Sequence, residues 1–346
     1  MKPITGLLFS LILPLTAASS AQTGLDNIKS YLSSKTELLV SKTTELEALG
    51  DRYYTLAEQT NFNYAALRQE HAAEVAAILT EAREAWTAAS PLYEQVEGIV
   101  AGTPSLAQFD IDLDAGASAA EDPQNAVSFD ITLSDGRVLE KPGNLFGVTE
   151  STLWGTFERF SSGVKADLDG DGQLQFGDVL PDANVLKGAA ALLAHQASDL
   201  KAAGTSWEPT EKDAFTALVV MVPTMSEYFA SWRDSRFVAG ERSAQRDFVA
   251  ISRLADMQDI LSGLQVVLGS VTPRIDTVDA AQGEQLAARL ENLKTYVGSI
   301  YKAERSGKRF SPEQADLLGA EAQDRATAIT GQVVQVAGAL GVTVEN

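Results

Sequence analysis

A helical spacing of apolar residues runs through most of this chain and constrains its fold more than any other feature. Across residues 25–60, large apolar side chains return every three or four positions, as they do on one face of an α-helix. The same spacing recurs in the segments 61–100, 149–161, 183–203, 210–229, 243–268, 280–303 and 312–340. We therefore expect an all-α protein, a helical bundle built from two helical halves.

One segment departs from the helical spacing. The run Val127-Ser-Phe-Asp-Ile-Thr-Leu133 alternates apolar and polar residues, and Asp135-Gly136 follows it as a turn. This pattern predicts one small β-hairpin, inserted at 125–142, as the only sheet of the protein. The preceding segment 101–125 is rich in Gly, Pro, Ser and Asp and predicts a loop. Three alternating aspartates in it could bind a cation, but we interpret them as a solvated charged strand: Asp110, Asp112 and Asp114.

The segment 167–178, Asp-Leu-Asp-Gly-Asp-Gly-Gln-Leu-Gln-Phe-Gly-Asp, predicts a calcium-binding loop of the EF-hand type. Ca²⁺ takes oxygen ligands, which such a loop presents at alternating positions and at its end. Those positions hold Asp167, Asp169, Asp171, the backbone carbonyl of Gln173, Gln175 and Asp178. Gly172 permits the sharp turn, and Leu174 is expected to point inward and anchor the loop. We expect a structural Ca²⁺ ion here, and the alternative is a solvated acidic turn.

Charge and composition narrow the classes of partner. The formal net charge is −20, which disfavours nucleic acid and anionic membrane surfaces. The chain has no cysteine, so disulfides, thiolate metal sites and cysteine nucleophiles are excluded. Its two histidines, His71 and His195, are too few for a zinc site built on several imidazoles.

The N-terminus has the pattern of a secretory signal peptide. A positive start, Met1-Lys2, precedes a short apolar run and the small-residue segment that ends at Ala21. The run is too short to span a bilayer, so we expect no membrane insertion. We expect cleavage near Ala21, which leaves 22–346 as one helical domain in the periplasm or outside the cell.

Three stretches then carry a family resemblance. The first is Ala89-Ser-Pro-Leu-Tyr-Glu-Gln-Val-Glu97 with Glu121-Asp-Pro123 after it, and the second is Phe146-Gly-Val-Thr-Glu-Ser-Thr-Leu-Trp154. The third is the C-terminal pair of helices, 256–268 and 309–340. In this order and spacing, they resemble the imelysin family, which includes periplasmic iron-uptake proteins of the EfeO type. The resemblance covers most of the mature chain and implies a helical bundle that binds metal.

The resemblance also locates a departure from the family pattern. The metal-binding His-x-x-Glu of the family falls on Gly147 and Glu150, so the glutamate is kept and the histidine is lost. A second family histidine is missing from the run Ser243-Ala-Gln-Arg-Asp247, which keeps its aspartate. The resemblance therefore implies an iron or copper site that is altered in this chain.

Carboxylates supply an alternative set of ligands. Glu94 and Glu97 are three residues apart, so a helix places them on one face. With Glu150, they are our candidates for a second metal site made of oxygen ligands, which suits hard ions such as Fe³⁺, Mn²⁺ or Ca²⁺. The alternative is a solvated acidic helix face.

We expect an exported metal-binding protein linked to iron uptake, with calcium and iron as its ions and iron-uptake permease or peroxidase components as its partners. The alternative is a calcium-stabilised scaffold or adhesion protein whose ancestral metal site is degenerate. We expect no enzymatic activity. A metallopeptidase needs protein ligands and a base that the glycine at position 147 does not supply.

Overall fold

The structure is a computed structural model, and it describes residues 15–344, with side chains from residue 24 onward. Residues 1–14 of the expected signal peptide lie outside the described residues, and the rest of it, up to Ala21, is described as backbone alone. The statements below concern the described part of the chain.

Helices dominate the fold, which confirms the all-α class. They are α1 (Leu15–Gln59), α2 (Tyr64–Glu70), α3 (Ala72–Val100), α4 (Ala107–Asp110), α5 (Leu145–Leu153), α6 (Ala183–Ser206), α7 (Glu211–Met221), α8 (Met225–Asp234), α9 (Arg253–Ile275), α10 (Ala280–Arg305) and α11 (Pro312–Ala339). A π-helix, Ile111–Ala115, continues α4. The start of α11 is typical of how the sequence sets these bounds, because Ser311 and Gln314 form a reciprocal capping box around Pro312.

The helices form two groups that share α9. In the first group, α1 packs against α3, α6 and α9. In the second, α9 packs against α10 and α8, and α11 packs against α8 and α10. A continuous apolar core runs through both groups, with fully buried side chains such as Tyr53, Phe215, Trp232 and Leu264. Helical spacing of the apolar residues produces this arrangement, since each helix turns its apolar stripe towards its neighbours.

Two small antiparallel sheets interrupt the helices. In the first, β1 (Ile131–Thr132) pairs with β2 (Val138–Leu139), which confirms the predicted hairpin and its turn. In the second, β3 (Ser161–Lys165) pairs with β4 (Val179–Pro181), so the expectation of one sheet is wrong. The acidic segment 167–178 is therefore the tip of a β-hairpin and has no flanking helices, unlike an EF-hand.

Three predicted helices have wrong bounds. The helix predicted at 149–161 is α5, Leu145–Leu153, because Asn144 caps it and Gly155 follows its end with a φ angle of 62°. The predicted helix 61–100 begins only at Tyr64, after the N-cap Asn63, and it is divided at His71, whose φ and ψ angles of −126° and 23° are not helical. The predicted helix from residue 243 begins instead at Arg253, after the N-cap Ser252. Residues 243–252 lie in a loop, and this loop forms part of the site described below.

One stretch, Glu211–Asp234, is long and apolar enough to cross a membrane by length and composition alone. It corresponds to α7, α8 and the 3₁₀ turn between them, and 61% of its most apolar window is buried inside the protein. Core helices pass the same test, and this burial is what a core position produces.

Candidate metal centre

Glu94 and Glu97 lie in the last turns of α3, on the face that points into the protein. Glu94 is 2% exposed and Glu97 is 3% exposed. The alternative of a solvated acidic helix face is therefore wrong. Tyr228 of α8 donates its hydroxyl hydrogen to Oε1 of Glu97 in a short hydrogen bond. Burial of two carboxylates one turn apart is costly unless they are paired, protonated or bound to a cation.

Further carboxylates come from α4 and the π-helix that continues it. Asp110, Asp112 and Asp114 are all buried, and our interpretation of them as a solvated strand is wrong. The helical backbone turns these aspartates inward and leaves Ile111 partly exposed. Tyr93 donates its hydroxyl hydrogen to Oδ1 of Asp110 at 2.7 Å. A π-helix is rare and often occurs at functional sites, which agrees with its position here.

Three of these carboxylates converge. Glu94, Glu97 and Asp114 each present an oxygen, and the three oxygens lie within 4.8 Å of one another. One buried oxygen of each residue has no hydrogen-bond partner: Oε2 of Glu94, Oε2 of Glu97 and Oδ2 of Asp114. Unpartnered buried carboxylate oxygens are rare because each loses its hydration without compensation. Such a set fits a hard cation, for which carboxylates are preferred ligands.

The first turn of α9 adds an arginine and a fourth carboxylate. Nη1 of Arg253 lies 3.1 Å from Oδ2 of Asp256 and 3.4 Å from Oε1 of Glu94. Its Nη2 lies 3.8 Å from Oδ2 of Asp114. The guanidinium group also lies against the aromatic rings of Phe248 and Tyr228, with centroid distances of 3.7 Å and 4.7 Å. Arg253 is thus a buried cation among three carboxylates.

Burial controls protonation in this cluster. It raises the pKa of Glu94 well above the ordinary value, and the neighbouring carboxylates raise it further while Arg253 lowers it. Burial likewise raises the pKa of Asp110 well above its usual range. It raises the pKa of Asp114 to about 7 and that of Asp256 to about 6, and Arg253 opposes both shifts. Protons therefore neutralise part of the cluster near neutral pH.

Glu150 of α5 does not join the three converging carboxylates. Its Oε2 accepts a hydrogen bond from the backbone N–H of Phe248 at 2.6 Å. Its Oε1 accepts from the backbone N–H groups of Val249 and Ala250 at 2.9 Å and 2.8 Å. Burial raises the pKa of Glu150 to about 8. This glutamate holds the loop before α9, and Asp114 takes the place that we expected it to fill beside Glu94 and Glu97.

Gly147 and Asp247 lie next to each other. A Cβ atom at Gly147 would approach Oδ2 of Asp247 to 2.9 Å and Oδ1 of Asn144 to 3.0 Å. At these positions, the resemblance noted in the sequence implies a histidine that this chain lacks and an aspartate that it keeps. The two motifs therefore meet in space, and the space beside Gly147 is used by the Asp247 carboxylate.

A cleft of about 960 Å³ opens next to the cluster. Among the residues that line it are Glu97, Asp110, Asp114 and Arg253 of the cluster, and Asp247. A route from solvent therefore leads to two of the three converging carboxylates.

A family model settles the relationship suggested by these motifs. The model of the imelysin family matches residues 49–333, which is most of the chain. The chain belongs to the imelysin family. This membership supports a metal-related or iron-uptake-associated protein. No curated protein gives a significant sequence match.

Outside the buried cluster, the imelysin domain carries the exposed acidic loop 167–178. Asp167, Asp169 and Asp171 each present a carboxylate oxygen, and the three oxygens lie within 4.8 Å of one another. Asp167 accepts hydrogen bonds from the backbone N–H groups of Gly170 and Gly172 at 2.7 Å and 2.9 Å. These bonds lower its pKa. The backbone of the loop is thus folded around the Asp167 carboxylate.

Two details of the loop differ from the predicted ligand arrangement. Asp178 is buried, and its oxygens accept backbone N–H bonds from Leu168 and Gln175. The side-chain N–H group of Gln175 donates to Asp171 at 2.7 Å, and an N–H donor cannot ligate a cation until the amide turns. Leu174 is 58% exposed, so its predicted role as an inward anchor is wrong, and Leu168 is buried instead.

Sequence reasoning missed three residues of the buried cluster, which are Tyr228, Arg253 and Asp256, and it interpreted Asp114 as solvated. The spacing of Arg253 and Asp256 was a usable signal, because a helix start after Ser252 places them on one face. The pairing of Asp114 with α3 had no local signal, since it depends on a π-helix.

Proposed function

We propose that this member of the imelysin family is an exported metal-binding protein linked to iron uptake, and that it binds its ion without catalysing a reaction. One observation carries the proposal. Three buried carboxylates, each with one oxygen that lacks a hydrogen-bond partner, converge beside a cleft that Glu97 and Asp114 line. Glu94, Glu97 and Asp114 would hold the ion, and the cleft would admit it.

The donor set favours a ferric ion as cargo. All three candidate ligands are carboxylates, and hard oxygen ligands suit Fe³⁺ better than they suit copper or zinc. The raised pKa values of Glu94 and Asp114 mean that a metal ion would displace protons on binding. Permease or peroxidase components of an uptake system are the partners expected for such a carrier.

The acidic loop is proposed to hold a structural Ca²⁺ ion. Its ligands would be the carboxylates of Asp167, Asp169 and Asp171, the Gln173 carbonyl, Gln175 and Asp178. The clustered, exposed aspartates support this proposal, and a weak affinity suits an extracytoplasmic protein. Calcium would stiffen the hairpin of β3 and β4.

Calorimetric titration of the purified mature protein with ferric nitrilotriacetate tests the proposal. We expect one ferric ion per chain in the wild type. The Glu97→Gln, Asp114→Asn double variant should bind it at least about 100-fold more weakly, because loss of supporting residues alone typically weakens metal sites by 10–100-fold. Glu284→Gln is the matched control, because Glu284 is exposed on α10.

Two outcomes contradict iron capture. If the wild type binds no ferric ion but gains thermal stability with Ca²⁺, the calcium-stabilised scaffold becomes the better function. If the double variant binds as tightly as the wild type, the ion lies elsewhere.

A further inference from the structure

Arg253 occupies a position that a second cation could fill. Its guanidinium group contacts Asp256, Glu94 and Asp114 at 3.1 Å, 3.4 Å and 3.8 Å, and it is 7% exposed. Buried carboxylates in such a group need a compensating positive charge. The other two carboxylate oxygens of the converging set that lack hydrogen-bond partners are Oε2 of Glu94 and Oε2 of Glu97, and the ion pairs of Arg253 do not include Glu97.

Glu94 is shared by the two positions. Its Oε1 lies towards Arg253, whereas its Oε2 has no hydrogen-bond partner. Carboxylates that bridge two cations are the usual way in which proteins hold metal ions about 3.5–4 Å apart. The cluster thus has the layout of a two-cation site in which one cation is a guanidinium group.

We propose that Arg253 replaces a second metal ion and restricts the buried cluster to one. This inference rests on the proposed metal binding, and it assigns to Arg253 the role of setting stoichiometry. The fixed charge of the guanidinium group repels the metal ion bound in the neighbouring position. It also keeps Asp256 in an ion pair, so that Asp256 cannot ligate a metal. The single ion is then held less tightly than the number of nearby carboxylates suggests, which suits a carrier that must release its cargo.

The imperfect fit of Arg253 supports this role. Its Nε–H group is buried and has no hydrogen-bond partner. Besides the carboxylates, the aromatic rings of Phe248 and Tyr228 contact the guanidinium group and help to hold it in place. A buried N–H donor without a partner is costly, so the surrounding carboxylates do not fully satisfy this cation.

The experiment measures metal stoichiometry in an Asp169→Asn, Asp171→Asn background, so that the acidic loop does not contribute. Protein is loaded with ferric nitrilotriacetate, desalted and analysed for iron per chain. We expect one iron in this parent, two after Arg253→Met, and one after Arg253→Lys, which keeps the charge. Arg325→Met, which removes an exposed ion pair with Glu321, is the matched control and should bind one.

Thermal stability gives a second readout. Met fills the space between the aromatic rings but leaves the carboxylates without a cation, so the Arg253→Met variant should gain more from iron than its parent does. A variant that binds one iron, or that does not refold even with iron, overturns the inference. A parent that binds no iron instead contradicts the proposed function, so the two failures are distinguishable.

Discussion

The buried cluster and the exposed acidic loop assemble the same kind of side chain by opposite means. In the loop, Asp167, Asp169 and Asp171 are near neighbours in the chain, and backbone N–H groups stabilise their negative charge. In the cluster, the carboxylates come from α3, the π-helix and α9, and they are compensated by protons, a phenol and a guanidinium group.

The difference appears in the pKa values. Hydrogen bonds from Gly172 and Gly170 lower the pKa of Asp167, so it is ionised above its ordinary titration range. Burial raises the pKa of Asp114 to about 7, so it carries a proton through the mildly acidic range. Solvent exposure and burial thus give two aspartates opposite responses to pH.

The sharpest way to separate the two regions is to disable the loop. The Asp169→Asn, Asp171→Asn double variant should lose the whole Ca²⁺-dependent rise in melting temperature, because two of the converging carboxylates are gone. Ferric binding should be unchanged. Thermal unfolding with and without millimolar Ca²⁺, beside ferric titration of the same sample, measures both. A thermal shift equal to that of the wild type would remove the calcium site from the loop.

The second-largest expected difference between the cluster and the loop is in how their metal affinity depends on pH. Between about pH 7.5 and 5.5, ferric affinity should fall by about tenfold per pH unit for each proton that the metal must displace. Asp114, with a pKa of about 7, and Glu94, whose pKa burial raises well above its ordinary value, supply such protons. Calcium affinity should stay nearly constant because Asp167 is already ionised. Competitive titrations at both pH values measure how ferric affinity and calcium affinity depend on pH. An equal pH dependence for the two ions would contradict the predicted difference between the two regions.

The same shifts predict how the metal-free protein responds to pH. A carboxyl group whose pKa is raised by folding favours the native state below its ordinary pKa, and this contribution is lost as the pH rises through the folded value. For Asp256 and Asp114, the loss extends from about pH 4 to pH 7. The metal-free protein should therefore have a lower melting temperature near pH 8 than near pH 5. In the Asp114→Asn variant, this difference in melting temperature should be smaller.

The loop was open to prediction from sequence because its chemistry is local. Asp167, Asp169 and Asp171 alternate along the chain, and their spacing predicted that these three carboxylates meet, although it also predicted Asp178 to join them. The helices and the first hairpin were predictable for the same reason, since apolar spacing and the Asp135-Gly136 turn are local patterns. The strands that flank the acidic loop, β3 and β4, were not predicted because β3 is short, contains glycine and is half polar.

The cluster was only partly open to prediction because its geometry depends on distant partners. Helix spacing predicted that Glu94 and Glu97 share a face. Asp114 reaches them through a π-helix, which an aspartate-rich segment does not predict. The segment before α9 was predicted as helix from its sequence, but it is a loop, because the backbone N–H groups of residues 248–250 donate to Glu150, about a hundred residues earlier in the chain. Tertiary hydrogen bonds override local propensity there.

The smallest predicted effect tests whether the two regions are independent. Arg83 of α3 donates to the carbonyl oxygens of Leu153 and Gly177, at 2.9 Å and 2.5 Å, and so ties the hairpin to the helix that carries Glu94. Arg83→Met leaves both carbonyl groups without this donor, at a cost of about 1–3 kcal/mol in unfolding free energy.

Urea denaturation measures this loss, with Arg52→Met as control, because Arg52 forms an exposed ion pair that should contribute below about 0.5 kcal/mol. Calcium affinity should fall a few-fold, since Gly177 precedes Asp178, while ferric affinity stays unchanged. A parallel fall in ferric affinity would mean that α3 couples the two sites, because Arg83 would then fix the turns of this helix on which Glu94 and Glu97 depend.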